Sequence, residues 1–251
     1  MSTPSPLDRI RIVLVGTTHP GNIGAAARAM KTMGLSRLCL VRPRRLPDDQ
    51  AAAMASGATD ILAAASICAT LADALAGTTL AVAMTARPRG LSHAPLSVRD
   101  AAGEVLANAA SGAAAVVFGS ETSGLSNEDV LTCQRIAHIP ANPEYSSLNL
   151  AAAVQVLCYE LRVAADRDAL PAPSEFTPAR FEDVERFFEH LECTLTEIRF
   201  LNPEHPKRLM VRLRRLLGRT RLEAEEIQIL RGILKMAARA ARHGHEAGGS
   251  R

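Results

Sequence analysis

Short apolar segments alternate with helical segments over residues 10–165, and this alternation is the feature that most narrows the possible folds. Predicted strands occupy residues 10–15, 38–41, 80–84, 114–118 and 136–139. Predicted helices lie between and after them, at residues 22–33, 48–55, 70–76, 97–110, 126–133 and 147–165. Such alternation predicts an α/β fold with a parallel sheet and helices on both faces. Because ligands of these sheets bind at the carboxyl ends of strands, a functional site is expected in the loops after residues 15, 84, 118 and 139.

The composition changes near residue 168, where a proline-containing segment leads into a region whose apolar residues recur at helical spacing. The sequence predicts four parts, which are an α/β domain at 1–168, a linker at 169–176, a helical extension at 177–243 and a disordered tail at 244–251. Thr177 and Pro178 are typical of the start of a helix, and so are Thr220 and Glu223. The extension is therefore predicted to be all-α.

The overall composition is that of a folded protein and excludes several other classes. Of the 251 residues, 47% are hydrophobic and 22% are charged, which is wrong for a disordered chain. No apolar segment reaches the roughly 18 residues of a membrane helix, and the first residues do not resemble a secretory signal. The five cysteines and seven histidines lack metal-ligand spacing. We therefore expect a reduced, cytoplasmic protein with no membrane segment and no metal.

The first polar motif follows the first predicted strand and reads His19-Pro-Gly-Asn22-Ile-Gly24-Ala-Ala-Ala-Arg28. Asn22 is predicted to cap a helix whose N-terminus attracts phosphate, and the guanidinium of Arg28 can bind phosphate oxygens. A close-packed turn with a surface arginine is the alternative. The loop lacks a GxGxxG pattern, which argues against a dinucleotide-binding oxidoreductase.

Two further polar motifs follow later strands. The second places Glu121 just beyond Gly119, where glycine allows a ligand to approach the backbone and a simple turn does not require a carboxylate. The third places Ser146 and Ser147 before a helix. Either serine could be an ordinary N-cap, but Asn149 is unfavourable inside a helix, so this motif holds more than capping requires.

Taken together, Asn-x-Gly-x-x-x-Arg at 22–28, Phe-Gly-x-Glu-x-x-Gly-Leu at 118–125 and Ser-Leu-Asn at 147–149 resemble the three motifs of the SpoU family of RNA 2′-O-ribose methyltransferases, in the SPOUT superfamily. The resemblance covers residues 9–165. It implies a parallel α/β fold with a C-terminal trefoil knot and S-adenosylmethionine as cofactor. It also implies a homodimer in which the first motif of one subunit completes the site of the other. The surrounding sequence and the helical extension are similar to members that methylate nucleotide 32 in the tRNA anticodon loop.

The resemblance also implies roles for individual residues. Eight positions are expected to contact S-adenosylmethionine, namely Met84, Thr85, Ala86, Gly119, Ile139, Ser146, Ser147 and Leu148. Arg28 matches the essential arginine of the family. Because a guanidinium only donates and stays charged, we expect Arg28 to bind the target phosphate and stabilise the developing alkoxide. Asn22 and Glu121 are expected to orient Arg28 or the ribose, and Ser147 and Asn149 to hold the loop and the cofactor.

Basic residues of the helical extension are the remaining candidates. The seven that lie closest together are Lys207, Arg208, Arg212, Arg214, Arg215, Arg219 and Arg221. Such clusters are often solvated helix faces, but the resemblance to RNA methyltransferases favours contact with tRNA phosphates. The sequence leaves open whether the target is nucleotide 32, nucleotide 34 or a ribose of ribosomal RNA. A non-catalytic RNA-binding protein of the same fold is also left open.

Overall fold

The computed structural model describes residues 5–86, 95–166 and 177–248, except for the side chains of 243–248. The chain forms two compact units, which divide the sequence between residues 174 and 175. The predicted linker at 169–176 lies outside the described residues. The division between the two units falls within that range.

Strands of the first unit form one parallel sheet, as the sequence predicts. Among the described residues these are β1 (Ile10–Val15), β2 (Arg37–Val41), β3 (Ser66–Cys68), β4 (Thr78–Met84), β5 (Leu96–Ser97), β6 (Ala113–Phe118) and β7 (Arg135–His138). Their order in the sheet is β3-β2-β1-β6-β4-β7-β5, and every pair is parallel. The sequence did not predict β3 and β5, because two or three residues are too few to establish a pattern.

Helices connect these strands. They are a 3-10 helix at Pro6–Arg9 and the α-helices α1 (Pro20–Thr32), α2 (Asp49–Ala55), α3 (Thr59–Ala63), α4 (Leu71–Leu75), α5 (Val98–Ala109), α6 (Asn127–Thr132) and α7 (Leu150–Ala165). Ile12, Leu14 and Val116 of the sheet are fully buried in one core with Met30 of α1 and Leu157 of α7. Strands that helices cover in this way are apolar along their whole length, which is why they were recognisable in the sequence. The trefoil knot implied by the family resemblance stays a prediction.

Helix α1 begins earlier than the sequence predicted. Its N-cap is His19 and its first residue is Pro20, a position where the missing N–H of proline is not needed. Asn22, the predicted N-cap, instead lies in the first turn. Its side chain is therefore available for partners outside the helix.

The second unit is all-α, and its helices are α8 (Phe181–Glu197), α9 (Leu209–Gly218) and α10 (Ala224–Gly248). Phe187, Phe188 and Leu191 of α8 and Ile227 of α10 form its buried core. The apolar spacing that predicted an amphipathic first helix is confirmed, because three of these buried residues lie on one face of α8.

The first helix of this unit begins later than the sequence predicted. Helix α8 starts at Phe181, not at Thr177, because the backbone before it pairs with the backbone before α10. Ala179 N donates to Leu222 O at 2.9 Å, and Ala224 N donates to Thr177 O at 2.9 Å. Pairing of this kind joins segments far apart in sequence, so local capping signals could not reveal it.

Both ends of α10 also differ from the prediction. The helix starts after Thr220, whose hydroxyl donates to Leu217 O at 2.7 Å instead of capping. At its other end the backbone is helical to Gly248, so residues 244–248, predicted as part of a disordered tail, continue the helix. An established helix adds residues readily, and an interior glycine costs only about 1 kcal/mol.

Candidate active site

The loops that follow β1, β6, β4 and β7 lie next to one another at one edge of the sheet. The four strands are neighbours in the order given above, and because all are parallel their carboxyl ends share this edge. The three polar motifs of the sequence all lie in or beside these loops. The structure therefore brings the three motifs to one region of the sheet.

Glu121 is the point at which the first two motifs meet. Its Oε2 accepts hydrogen bonds from Thr18 N at 3.0 Å and from Thr18 Oγ1 at 2.8 Å. Its Oε1 accepts from His19 N at 3.3 Å and from Asn22 Nδ2 at 2.9 Å. A carboxylate offers about four acceptor positions, so these four donors use all of them. Glu121 therefore fixes the loop after β1 to the loop after β6.

Asn22 extends this connection to the third motif. Its Oδ1 accepts a hydrogen bond from Asn149 Nδ2 at 3.0 Å. Asn149 is the N-cap of α7, and its Oδ1 accepts from Ala151 N at 2.9 Å and from Ala152 N at 3.3 Å. Asn149 thus caps α7 and also links this helix to Asn22. A serine would suffice for the cap, but the link uses the amide N–H of asparagine. One chain of hydrogen bonds, from Glu121 through Asn22 to Asn149, joins the three motifs.

The donors around Glu121 also set its protonation state. Burial by itself raises the pKa of this carboxyl, but the hydrogen bonds from Asn22 and Thr18 outweigh burial and lower the pKa to about 2. An efficient general base has a pKa near the working pH. Glu121 is therefore an ionised anchor for the loops at neutral pH and a poor acceptor for a proton.

A pocket opens beside this hydrogen-bonded chain, with about 870 Å³ of empty space that includes its mouth. All eight residues predicted to contact a cofactor line it: Met84, Thr85, Ala86, Gly119, Ile139, Ser146, Ser147 and Leu148. Glu121 lines it as well. Met84 is buried and packs into the core while it borders the pocket.

Gly119 is required by the chain itself. A Cβ at this position would clash with the backbone of Gly124 and Leu125, which folds back across the end of β6. Gly124 N donates to Ser120 O at 2.9 Å and closes this turn, and the φ of +68° at Gly124 favours glycine there too. The sequence prediction that Gly119 makes room for a ligand was therefore incomplete, because neighbouring backbone already fills that space.

Arg28 is not brought into the pocket of its own chain. It lies on α1, its side chain is exposed, and no described residue forms a hydrogen bond or ion pair with its guanidinium. Glu121 and Asn22, which were expected to orient either Arg28 or the ribose, bind each other, and neither forms a described hydrogen bond with Arg28 of the same chain. The structure thus separates the candidate arginine from the candidate pocket within one chain.

The basic residues predicted to contact tRNA divide into two groups. Arg214 lies against α8, where it donates to both carboxylate oxygens of Glu185 at 2.7 and 3.0 Å. Its guanidinium carbon also lies 4.4 Å from the centre of the Phe188 ring. The side chains that have no such partner in the described part of the chain are largely exposed and belong to Lys207, Arg208, Arg212, Arg215, Arg219 and, half-buried, Arg221.

Several residues of the site were not singled out from the sequence. Thr18 supplies two of the four donors to Glu121, and Ser120 and Ser123 form a 2.8 Å hydroxyl pair at the pocket wall. The only signal for them was position, since each lies directly beyond a predicted strand. Position alone did not distinguish them from ordinary turn residues.

The described residues form no candidate metal centre and no candidate membrane span. No group of three or more His, Cys, Asp or Glu side chains is arranged to hold a metal ion in the part of the chain that the structure describes. Within the same part, no helix combines the length and the apolar character needed to cross a bilayer.

Comparison with known proteins assigns the fold and site to a class. The family model described as SpoU rRNA Methylase family matches residues 9–159, which include the whole hydrogen-bonded chain and pocket. The protein belongs to the SpoU methylase family. A second model, described as the C-terminal domain of the tRNA methyltransferase TrmJ, matches residues 182–246 in the helical unit.

Individual relatives agree with both matches. The chain is 48% identical over 247 residues to the tRNA (cytidine/uridine/adenosine-2′-O-)-methyltransferase TrmJ of Pseudomonas aeruginosa, covering 94% of this chain and 96% of that protein. It is 50% identical over 233 residues to the tRNA (cytidine/uridine-2′-O-)-methyltransferase TrmJ of Cronobacter sakazakii, covering 91% and 95%. The crystal structure of TrmJ from Z. mobilis ZM4 superimposes with a TM-score of 0.78 at 34% identity, covering 94% of this chain and 99% of that one. Within the SpoU methylases, the chain thus belongs with the TrmJ proteins.

Proposed function

We propose that the protein transfers a methyl group from S-adenosylmethionine to the ribose 2′-oxygen of nucleotide 32 in tRNA. The observation that carries this proposal is the chain of hydrogen bonds from Glu121 through Asn22 to Asn149 beside one pocket. The three family motifs, which are distant in sequence, meet there. The names of the TrmJ relatives supply the class of substrate, tRNA, and the class of reaction, methylation at a 2′-oxygen.

The lining of the pocket suits S-adenosylmethionine, which has an aromatic base, a hydroxylated sugar and a charged amino-acid end. Met84, Leu148 and Leu150 offer apolar surface, whereas Ser146 and Ser147 offer hydroxyl groups. Backbone at the ends of three strands supplies further polar groups in the remaining wall. When bound, the cofactor supplies an electrophilic methyl group.

The residues of the chain have distinct parts in this reaction. Glu121 and Asn22 hold the pocket loop against α1, and Asn149 fixes the start of α7 to the same point. Arg28 binds the phosphate beside the target ribose and stabilises negative charge on the 2′-oxygen as the hydroxyl proton passes to water. Glu121 stays an anion near neutral pH and does not take this proton.

The active enzyme is a homodimer in the cytoplasm, and Arg28 of one subunit completes the pocket of the other. The separation of Arg28 from the pocket of its own chain supports this arrangement. Closed two-fold symmetry places the same surface of each subunit against the other, so two equivalent sites form.

The target nucleotide can be tested with three tRNAs, two of which each lack one ribose 2′-oxygen that the first has. The first is unmodified, the second has a 2′-deoxynucleotide at position 32 and the third has one at position 34. The full-length protein and labelled S-adenosylmethionine are expected to methylate the first and third transcripts and not the second, because the second lacks the acceptor oxygen.

Other results would contradict specific parts of the proposal. Loss of methylation only with the 34-deoxy transcript would assign the activity to nucleotide 34. Methylation of ribosomal RNA but not of tRNA would assign it to another substrate. Binding of tRNA without any methyl transfer would support a non-catalytic RNA-binding protein.

A further inference from the structure

A loop rich in arginine follows β2 at the same edge of the sheet as the candidate active site. It reads Arg42-Pro43-Arg44-Arg45 and is called the arginine loop below. Strand β2 is separated only by β1 from β6, the strand whose following loop contains Glu121. Neighbouring strands lie about 4.8 Å apart, so the arginine loop begins about 10 Å from the strand that ends at the site.

Three backbone hydrogen bonds, two from the arginine loop and one to the last residue of β2, fix the loop to its neighbours. Arg42 N donates to Cys68 O of β3 at 3.1 Å, and Gly16 N donates to Val41 O at 2.8 Å. Arg44 N donates to Thr17 O at 2.9 Å, directly before the residue that gives Glu121 two of its hydrogen bonds. The loop is therefore tied to the backbone that carries the candidate site.

The arginine side chains of this loop differ in what they contact. Arg45 is paired with Asp48 at 3.3 Å. Arg42 and Arg44 are exposed, and no described residue forms a hydrogen bond or ion pair with either guanidinium. Arg42 has a φ of +46°, a left-handed conformation that a non-glycine residue keeps only where its surroundings hold it. Two unpaired cations are thus presented to solvent by a backbone that is held in place.

We propose that Arg42 and Arg44 bind backbone phosphates of the RNA substrate, one or two nucleotides away from the ribose that is methylated. This inference rests on the proposed function, because it takes RNA as the substrate. Successive nucleotides advance by a few ångströms, so a strand whose ribose lies at the site brings neighbouring phosphates within about 10 Å. The planar guanidinium matches two phosphate oxygens, and among the described residues these arginines have no carboxylate partner that would compete.

The chain provides a matched control for this proposal. Arg37 begins the same strand, β2, and is also exposed and without a described partner, but it lies at the opposite, amino edge of the sheet. Arg44→Gln and Arg37→Gln remove the same charge from the two ends of one strand. Arg42→Asn removes the other charge while keeping a residue that tolerates positive φ.

The experiment measures tRNA affinity as a function of salt concentration, together with KM and kcat for methylation, for the full-length protein. In the Arg42→Asn/Arg44→Gln variant we expect Kd and KM for tRNA to rise about tenfold and kcat to stay near the original value. The slope of log affinity against log salt should fall by about 1.5, because each lost phosphate contact removes about 0.7–0.9. Arg37→Gln should leave all of these unchanged, and Arg44→Lys should retain most of the affinity that Arg44→Gln loses.

The outcomes separate this inference from the proposed function. If the original protein neither binds nor methylates tRNA, the proposed function fails. If it methylates tRNA and the double variant behaves like Arg37→Gln, only the assignment of the arginine loop fails. A fall in kcat or in melting temperature with an unchanged salt slope would also overturn it, since that result indicates a structural role through the Thr17 contact.

Discussion

The carboxylate of Glu121 holds two loops together so completely that it is not available for proton transfer. Four donors occupy its acceptor positions, and its pKa lies near 2. A base this weak could not take a proton from a ribose hydroxyl efficiently near neutral pH. Glu121 is therefore a positioning residue, and its charge should be visible in the stability of the protein more directly than in the pH dependence of catalysis.

Glu121→Gln should lower the stability of the protein most at neutral pH. The new amide group faces N–H and O–H donors and cannot accept from all of them, for an expected loss of about 1–2 kcal/mol. Because folding lowers the pKa of Glu121 from 4.5 to about 2, the stabilisation is fully present above pH 4.5 and is lost as the pH falls towards 2.

Thermal melts of the two proteins between pH 7 and pH 3 would measure this difference. The gap in melting temperature should be widest at pH 7 and should narrow below pH 4.5. Glu128→Gln, an exposed glutamate at the start of α6, serves as the control and should show no such narrowing. If the gap in melting temperature for Glu121→Gln were constant with pH, the charge of Glu121 would not contribute to the stability of the protein.

The sequence could predict the place of Glu121 but not its partners. Its position just beyond a buried strand predicted a place at the functional edge of the sheet, because a strand and the loop after it are adjacent in sequence. The donors Thr18 and His19 lie about 100 residues away, and only the pairing of β1 with β6 brings them close. Asn22 was predicted only as a helix cap. Capping preference depends on neighbouring residues and carries no information on a carboxylate as distant in sequence as Glu121.

At the scale of elements, the packing of α1 against α2 shows why a glycine stands in the first motif. A Cβ on Gly24 would clash with the carbonyl oxygen of Ala51 in α2. The two helices can therefore approach only because this position has no side chain. The same contact places α2, and the arginine loop before it, next to the helix that carries Asn22 and Arg28.

Gly24→Ala should consequently lower the free energy of unfolding by at least about 1–3 kcal/mol, since backbone must move to admit the methyl group. Gly103→Ala is the matched control, because Gly103 is an exposed position within α5 where a Cβ would meet nothing within 4 Å. That substitution should raise stability by about 0.5–1 kcal/mol through helix propensity. Urea denaturation measures both, and equal effects of the two changes would contradict the close contact of α1 with α2.

The basic residues of the second unit show where a charge count from sequence stops being informative. Arg212 and Arg214 were equivalent in the sequence, two residues apart in one cluster. In the structure Arg214 binds Glu185 with both donors and lies over Phe188, whereas Arg212 is exposed. The partner depends on how α9 packs against α8, which the helical spacing of either helix alone does not determine.

Substitution should separate these two roles. Arg214→Ala is expected to destabilise the helical unit by about 1–2 kcal/mol, through loss of the ion pair and the contact with the ring. Arg212→Ala should leave the melting temperature unchanged, lower tRNA affinity a few-fold and reduce the salt slope by about 0.7–0.9. If Arg212→Ala left affinity and slope unchanged, contact of this position with tRNA would be excluded.

At the scale of the whole molecule, one chain contains the pocket and the candidate arginine but does not bring them together. The alternating strands and helices predicted the sheet and its functional edge, because each element is encoded locally. Whether a residue on α1 serves its own pocket or that of a second copy is a property of assembly. No periodicity or spacing within one chain reports it, so the family resemblance was the only source for that expectation.

Mixed dimers can decide whether Arg28 serves the pocket of its own chain or the pocket of the other subunit. Arg28→Ala removes the arginine, and Ser147→Trp fills the mouth of the pocket from an exposed position, so each variant alone should be inactive. If Arg28 acts across the interface, co-expressed chains with different tags should recover activity, because a heterodimer contains one intact site. Half of the dimers are mixed and half of their sites are intact, which gives about a quarter of the original activity.

The reciprocal combination provides the control. A chain carrying both substitutions, paired with an unaltered chain, has no intact site if Arg28 acts across the interface, because each pocket then lacks either its arginine or its opening. The same heterodimer retains one intact site if Arg28 acts within its own chain. Purified heterodimers of the two kinds should therefore give opposite results in the methylation assay, and activity only in the second kind would exclude a site shared between subunits.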